Sequence, residues 1–171
     1  EVCMKAKATR SSFKEKHVKD DISPGESLAM DLGFIDGRPY LAITDEFSGC
    51  SKIWSLGRKS EAPGFIMQYI EWIKNQFNYK VKRLITDGGT EFMNATLKDY
   101  CEKHGLVIKK SMPYTPEQNG IAERKNRTLK ECARSILIDS GLGIEYSMDA
   151  MLFATFIRNR SPRKEAGKTA I

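Results

Sequence analysis

Apolar positions along the chain follow two rhythms, and each predicts its own elements. Three short apolar-rich runs come first: Ser27 to Phe34 (SLAMDLGF), Arg38 to Thr44 (RPYLAIT) and Cys50 to Leu56 (CSKIWSL). Asp36-Gly37 is a hairpin-turn pair between the first two, and the segment Asp45 to Gly49 turns the chain into the third. Three strands at this spacing predict an antiparallel meander. The period then lengthens. Ala62, Phe65, Ile66, Tyr69, Ile70, Ile73 and Phe77 recur at i, i+3, i+4 and i+7, the signature of one wide apolar helix face. Ser60 is the expected cap of that helix, ahead of Pro63-Gly64. Val81 to Thr86 (VKRLIT) predicts a short buried strand, Asn94 to His104 a helix closed by Gly105, and Leu106 to Lys110 a fifth strand. Pro113 and Pro116 mark an irregular loop. Gly120 to Ser140 predicts a long helix closed by Gly141, and roughly Ile144 to Arg160 a last one before Pro162. The order β-β-β-α-β-α-β-α-α predicts an α/β fold, a mixed five-stranded sheet flanked by helices.

Composition narrows the classes without choosing among them. At 171 residues, 40% hydrophobic and with only 13 Gly and 6 Pro, the chain suits one domain and is neither collagenous nor disordered. No apolar run approaches the roughly 18 residues of a membrane span, and the polar, basic stretch Glu1 to Lys19 does not read as a secretory signal. Lys+Arg 28 against Asp+Glu 22 leaves a net charge of +6, which permits nucleic-acid binding. Four scattered cysteines (Cys3, Cys50, Cys101, Cys132) predict free thiols, buried at 101 and 132, and an intracellular setting. Two histidines (His17, His104) are too few for a His-rich zinc site, and neither has a nucleophile context.

Three acidic residues stand apart. Asp31 lies inside the first strand between Met30 and Leu32, where a carboxylate is costly unless neutralised. Asp87 ends the fourth strand, before Gly88-Gly89, at the end where α/β sheets place ligands. Glu123 sits one turn into the long helix. Converging, they would form an oxygen-only site suited to Mg²⁺ or Mn²⁺. Two such ions about 3.5–4 Å apart can clamp both oxygens of a phosphodiester displacement. With 22 acidic residues in the chain, spacing alone leaves turn, cap and surface roles open.

The surroundings of these residues are more specific. Fifty-five residues lie between Asp31 and Asp87, and 35 between Asp87 and Glu123. That pattern resembles the D,D-35-E signature of retroviral and retrotransposon integrases. ITDGGTEF (Ile85 to Phe92) resembles the family's segment around its second Asp, and PYTPEQNGIAE (Pro113 to Glu123) the loop leading into its Glu. YLAITDEFSGCSKIWSL (Tyr40 to Leu56), ERKNRTLKECAR (Glu123 to Arg134) and FIRNRSP (Phe156 to Pro162) are similar to the copia-type LTR retrotransposon branch. The resemblance covers roughly residues 20 to 165. Transposases, RNases H and a decayed, DNA-binding remnant are the competing readings; ERKNRTLKECAR and FIRNRSP favour integrase over the first two, and the intact acidic triad argues against decay.

The resemblance implies an RNase H-like fold and metal-dependent polynucleotidyl transfer, in which 3′-end processing precedes strand transfer of element DNA into target DNA. It implies Asp31, Asp87 and Glu123 as catalytic metal ligands for two Mg²⁺ or Mn²⁺ ions. Two departures accompany it. Many relatives have Asn after the second Asp where this chain has Gly88, a departure that bears on a side-chain hydrogen bond beside the ligand and not on metal binding. CMKAKATRSSF (Cys3 to Phe13) resembles the end of a His/His/Cys/Cys module of which only Cys3 is present, so no structural zinc is expected. The implied organisation is a basic linker at 1–22, a catalytic core at 23–165, and the start of a truncated C-terminal region at 166–171. Glu123, Arg127, Lys130 and Arg134 share one helix face, which is either a solvated basic stripe or, as the resemblance implies, a grip on DNA ends. Tyr114, Gln118 and Asn119 are further DNA-binding candidates, and Gly120 is a candidate hinge for a loop expected to be mobile without DNA or metal. Trp72 reads as core edge or dimer face. The apolar last helix (Met148, Met151, Leu152, Phe153, Phe156, Ile157) favours a homodimer or higher oligomer. The implied partners are element-end DNA and target DNA, with no membrane, and the implied locations are virus-like particle and nucleus. His104 is given no role.

Overall fold

The computed structural model describes residues 22–89, 92, 94–110 and 120–162. The expected basic linker, except residue 22, and residues 163–171 fall outside these, as do Cys3 and the loop at 111–119.

Five strands form one sheet: β1 (Ser27–Ile35), β2 (Arg38–Asp45), β3 (Ser51–Ser55), β4 (Arg83–Thr86) and β5 (Val107–Lys110). Their order is β3-β2-β1-β4-β5. The first three make the expected antiparallel meander, and β4 and β5 run parallel to β1. Asp36 and Gly37 both take positive φ (49° and 70°) between the paired Ile35 and Arg38. That is the backbone of a two-residue hairpin whose twist matches the strands.

Four α-helices complete the fold among the described residues: α1 (Ala62–Phe77), α2 (Ala95–His104), α3 (Gly120–Ser140) and α4 (Ser147–Arg160). They cover both sheet faces. Leu28, Met30, Leu41, Ile43 and Leu84 pack with Ile66, Ile70 and Ile73 of α1 and Leu97 and Cys101 of α2. Tyr40, Ala42 and Ile53 pack with Leu129 and Ala133 of α3 and Met148, Met151 and Ala154 of α4. Alternation along β1 therefore sends Met30 to one layer and its neighbour Asp31 to the other.

Boundary differences have local causes. The amides of Lys82 and Arg83 both donate to the Glu26 carbonyl, so pairing of β4 starts at Arg83 rather than Val81. The Leu106 amide donates back to Cys101, closing α2 with Gly105 in the left-handed region, and β5 starts one residue later. Asn94 caps α2 from outside by accepting from the Leu97 amide at 2.9 Å. Ser60 does not cap α1: it lies in a 3-10 turn, Lys59–Glu61, and α1 begins at Ala62 with no side-chain cap. A second 3-10 turn, Ile144–Tyr146, takes the start expected for α4. Cys50, Cys101 and Cys132 are free thiols; Cys101 is buried, which raises its thiol pKa to about 11, whereas Cys132 is only half-buried.

Asn159 ties α4 to the sheet. Buried at the end of the helix, it accepts from the Ser51 amide at 3.0 Å and donates to the Ser51 carbonyl at 2.7 Å. It thus serves as the missing neighbour of edge strand β3 at that point. This gives the FIRNRSP segment a structural function.

Candidate active site

Asp31 sits at the middle of the central strand, paired with Ala42, on the face covered by α3. β1 and β4 pair in parallel through Ala29 and Ile85. Carrying that register two residues further on each strand brings Asp31 level with Asp87, on the same face of the sheet. Asp87 follows Thr86 at the carboxyl end of β4 and is exposed. Its Oδ1 accepts from the Gly89 amide at 3.0 Å, and the Thr86 hydroxyl lies 3.3 Å from it. Glu123 stands exposed on the first turn of α3.

A groove of about 490 Å³ opens along this face, lined by Asp31, Glu123, Asn126, Arg127, Lys130, Glu131 and Arg134. The structure therefore gathers one expected carboxylate from β1, one from α3 and all three expected α3 cations. Asp87 does not line the groove, but its charge acts on Asp31. The Asp31 carboxyl is held above the usual carboxylate range, first by burial and further by the negative charges of Asp87 and Glu123; hydrogen bonds from Asn126 and the Leu32 amide oppose the shift. Tyr114, Gln118 and Asn119 lie outside the described residues. Gly120 opens α3, where an added Cβ would come nearest to the movable end of Arg124.

Sequence reading missed Asn126. It is buried, and its amide donates to Asp31 Oδ2. Its i+3 spacing from Glu123 put it on the same helix face, yet an Asn inside a helix carries no signal of a partner on a distant strand. Lys130 also has a defined seat, with Nζ 5.6 Å from the Tyr40 ring centroid. The Tyr40 ring in turn fills the space over Gly33, where an added Cβ would collide with it.

Among the described residues, no three acidic, His or Cys side chains meet closely enough to hold an ion as placed. The donor chemistry nevertheless fits a hard divalent cation. All three groups are carboxylates, and Asp31 carries a burden of burial and like charge that its hydrogen bonds only partly relieve and that a cation would offset.

No protein-family model matches the chain. Among curated proteins, it is 28% identical to a retrovirus-related Pol polyprotein from transposon TNT 1-94 of Nicotiana tabacum, over 94% of this chain and 12% of that protein. It is 28% identical to the Pol polyprotein from transposon RE2 of Arabidopsis thaliana, over 89% of this chain and 10% of that protein. The chain thus spans about a tenth of the length of these relatives. Among solved structures, it resembles a simian T-cell lymphotropic virus intasome in complex with PP2A regulatory subunit B56 gamma. There the TM-score is 0.73 and the identity 20%, over 90% of this chain and 55% of that one. It also resembles the HTLV-2 integrase catalytic core domain in complex with magnesium, with a TM-score of 0.65 and 19% identity, over 87% and 95%. The chain's homologues are thus retrotransposon Pol polyproteins, and its fold is the RNase H-like fold of retroviral integrase catalytic cores.

Proposed function

We propose that the chain is the catalytic core of a retrotransposon integrase, a divalent-metal-dependent enzyme that processes the 3′ ends of element DNA and joins them to target DNA. One observation carries this reading: Asp31 and Glu123 face a groove walled by Arg127, Lys130 and Arg134, with Asp87 just past the end of the neighbouring strand β4 and close enough for its charge to act on Asp31. Homology to Pol polyproteins and the magnesium-bound and intasome neighbours support it.

A pair of Mg²⁺ or Mn²⁺ ions between the carboxylates would supply Lewis acidity for phosphodiester displacement. The side chains prepare the rest. Asn126 donates to Asp31 Oδ2 and so fixes the orientation of that carboxylate. Glu123 sits on the first helical turn, so its position depends on how the preceding loop enters α3. Arg127, Lys130 and Arg134 lead away from it along α3 and would grip successive phosphates. No Ser, Cys or Tyr is among the described groove-lining residues. Direct attack by water, and then by a DNA 3′-OH, suits that lining because neither needs a covalent enzyme intermediate. The role implies work in a virus-like particle and in the nucleus; no helix of the described residues is long and apolar enough to cross a membrane.

The purified chain should resolve a branched DNA substrate by disintegration in Mg²⁺ or Mn²⁺ and not in EDTA. Activity that survives EDTA would contradict the reading. Arg127→Ala and Lys130→Ala should each weaken DNA binding and lower the slope of log affinity against log salt by roughly one. Both residues are exposed, so folding should be unchanged. Unchanged affinity and slope in both would leave the stripe a solvated surface.

The apolar residues of α4 divide in two. Met148 and Met151 are core, while Leu152, Phe153, Phe156 and Ile157 stand exposed, as do Trp72 and Phe77 of α1. We read these exposed faces as the self-association surface, in line with the trimeric form of one neighbour. Phe153→Glu should shift the sedimentation profile towards monomer; a wild type that is monomeric at all concentrations would contradict this.

A further inference from the structure

We infer that Tyr40 is a positioning residue of the active site, whose hydroxyl holds an ordered water against Asp31. The inference rests on the reading of Asp31 as a metal ligand. Tyr40 pairs with Gly33 across the hairpin, and Asp31 pairs with Ala42. Tyr40 and Ala42 both belong to the layer packed against α3 and α4. Asp31, Gly33 and the Tyr40 side chain therefore share one face of the sheet, the face of the groove. An added Cβ at Gly33 would fall on the Tyr40 hydroxyl. Gly33 thus lets the phenol lie across β1, with its hydroxyl two residues along the strand from Asp31.

The hydroxyl is buried, and no hydrogen-bond partner meets it among the described residues. Burial raises the phenol above its ordinary titration range and the charge of Asp31 raises it further, so the group keeps its proton and can donate. Bulk alone does not account for it. An unpaired buried hydroxyl is costly, and Phe would fill the same space without one. Tyr40 is not among the residues that line the groove, so nucleic acid lying there does not reach the hydroxyl. Its partner must be small, polar and already inside.

Water fits that description. Two residues of strand span about 7 Å. That is too far for a direct bond between groups standing abreast, and near the ~5.6 Å that two hydrogen bonds through one water cover. Buried waters are kept where they join polar groups that lack other partners. Asp31 is the acceptor at hand: the bonds it takes from Asn126 and the Leu32 amide only partly relieve its burial and like charge, so a further donor is stabilising there. The bridge steadies Asp31 from the hairpin side, as Asn126 steadies it from α3. Supporting bonds of this kind fix a ligand's orientation and tune its hold on a metal.

The test is Mn²⁺ titration calorimetry of the full chain without DNA, beside thermal melting in EDTA. Tyr40→Phe should bind Mn²⁺ roughly tenfold more weakly, the lower end of what losing a ligand's supporting bond costs, at an unchanged melting temperature. Its disintegration rate should recover at saturating Mn²⁺. The salt slope of DNA binding should not move, because the ring beneath Lys130 is kept. Unchanged Mn²⁺ affinity in Tyr40→Phe, with Asp87→Asn weakening it, would overturn the inference and leave the proposed function standing. If Asp87→Asn also binds Mn²⁺ as the wild type does, both readings fail. A crystal of the wild type in EDTA supplies a readout independent of the variant's folding. It should show one water within hydrogen-bond distance of both the Tyr40 hydroxyl and the Asp31 carboxylate; a hydroxyl bonded elsewhere would overturn the inference.

Discussion

Asp87→Asn, Asp31→Asn and Glu123→Gln are each expected to abolish disintegration, by roughly 10³-fold or more, because each removes a proposed metal ligand, and such a ligand is worth several kcal/mol of transition-state stabilisation. The same substitutions should leave the fold intact, and Asp31→Asn should strengthen it in EDTA. Burial and the neighbouring charges of Asp87 and Glu123 raise the Asp31 carboxyl above its ordinary range. A carboxyl raised on folding favours the protonated folded state. Its stabilisation is complete below the unfolded-state pKa and is lost as pH rises through the folded-state value. Wild-type stability should therefore fall relative to Asp31→Asn as pH is raised from 3 to 7, and the neutral amide can keep its bond from Asn126. Denaturation midpoints of the two proteins across that range, in EDTA, check the sign. A variant that is less stable than wild type at pH 7 would show that Asn126 outweighs burial and repulsion.

Asn159→Ala is expected to be among the most damaging changes outside the carboxylates. It removes the side chain that meets both the amide and the carbonyl of Ser51, leaving these two groups of a buried residue unpaired. At about 1–3 kcal/mol for each unsatisfied group, the loss should be about 2–6 kcal/mol. Urea unfolding should show a lower midpoint with little change in slope. A loss below about 0.5 kcal/mol would mean that water replaces the side chain at no cost, as it does at exposed sites.

The two asparagines show where sequence reading stopped. Gly120–Ser140 was legible from its apolar spacing and the closing Gly141, and the meander from short apolar runs separated by Asp36-Gly37 and the Asp45 turn. These are local signals, set by period and turn chemistry. Asn126 and Asn159 act on partners 95 and 108 residues away in the chain, and no periodicity reports such a pairing. Ser60 failed as a cap for a related reason: its residue type was right, but the 3-10 turn at Lys59–Glu61 moved the helix start past it. The carboxylates lay in between. Asp31 was conspicuous as a charge inside an apolar strand, whereas its alignment with Asp87 came only from the parallel register of β1 and β4.

The central claim is that Asp31, Asp87 and Glu123 hold divalent metal. The most direct measurement is a crystal of the chain soaked in Mn²⁺, with anomalous difference density collected at the manganese edge. The account predicts a peak between the Asp31 and Asp87 carboxylates, lost in Asp87→Asn. Full soaking with no peak there, or a peak that persists in Asp87→Asn, would contradict it.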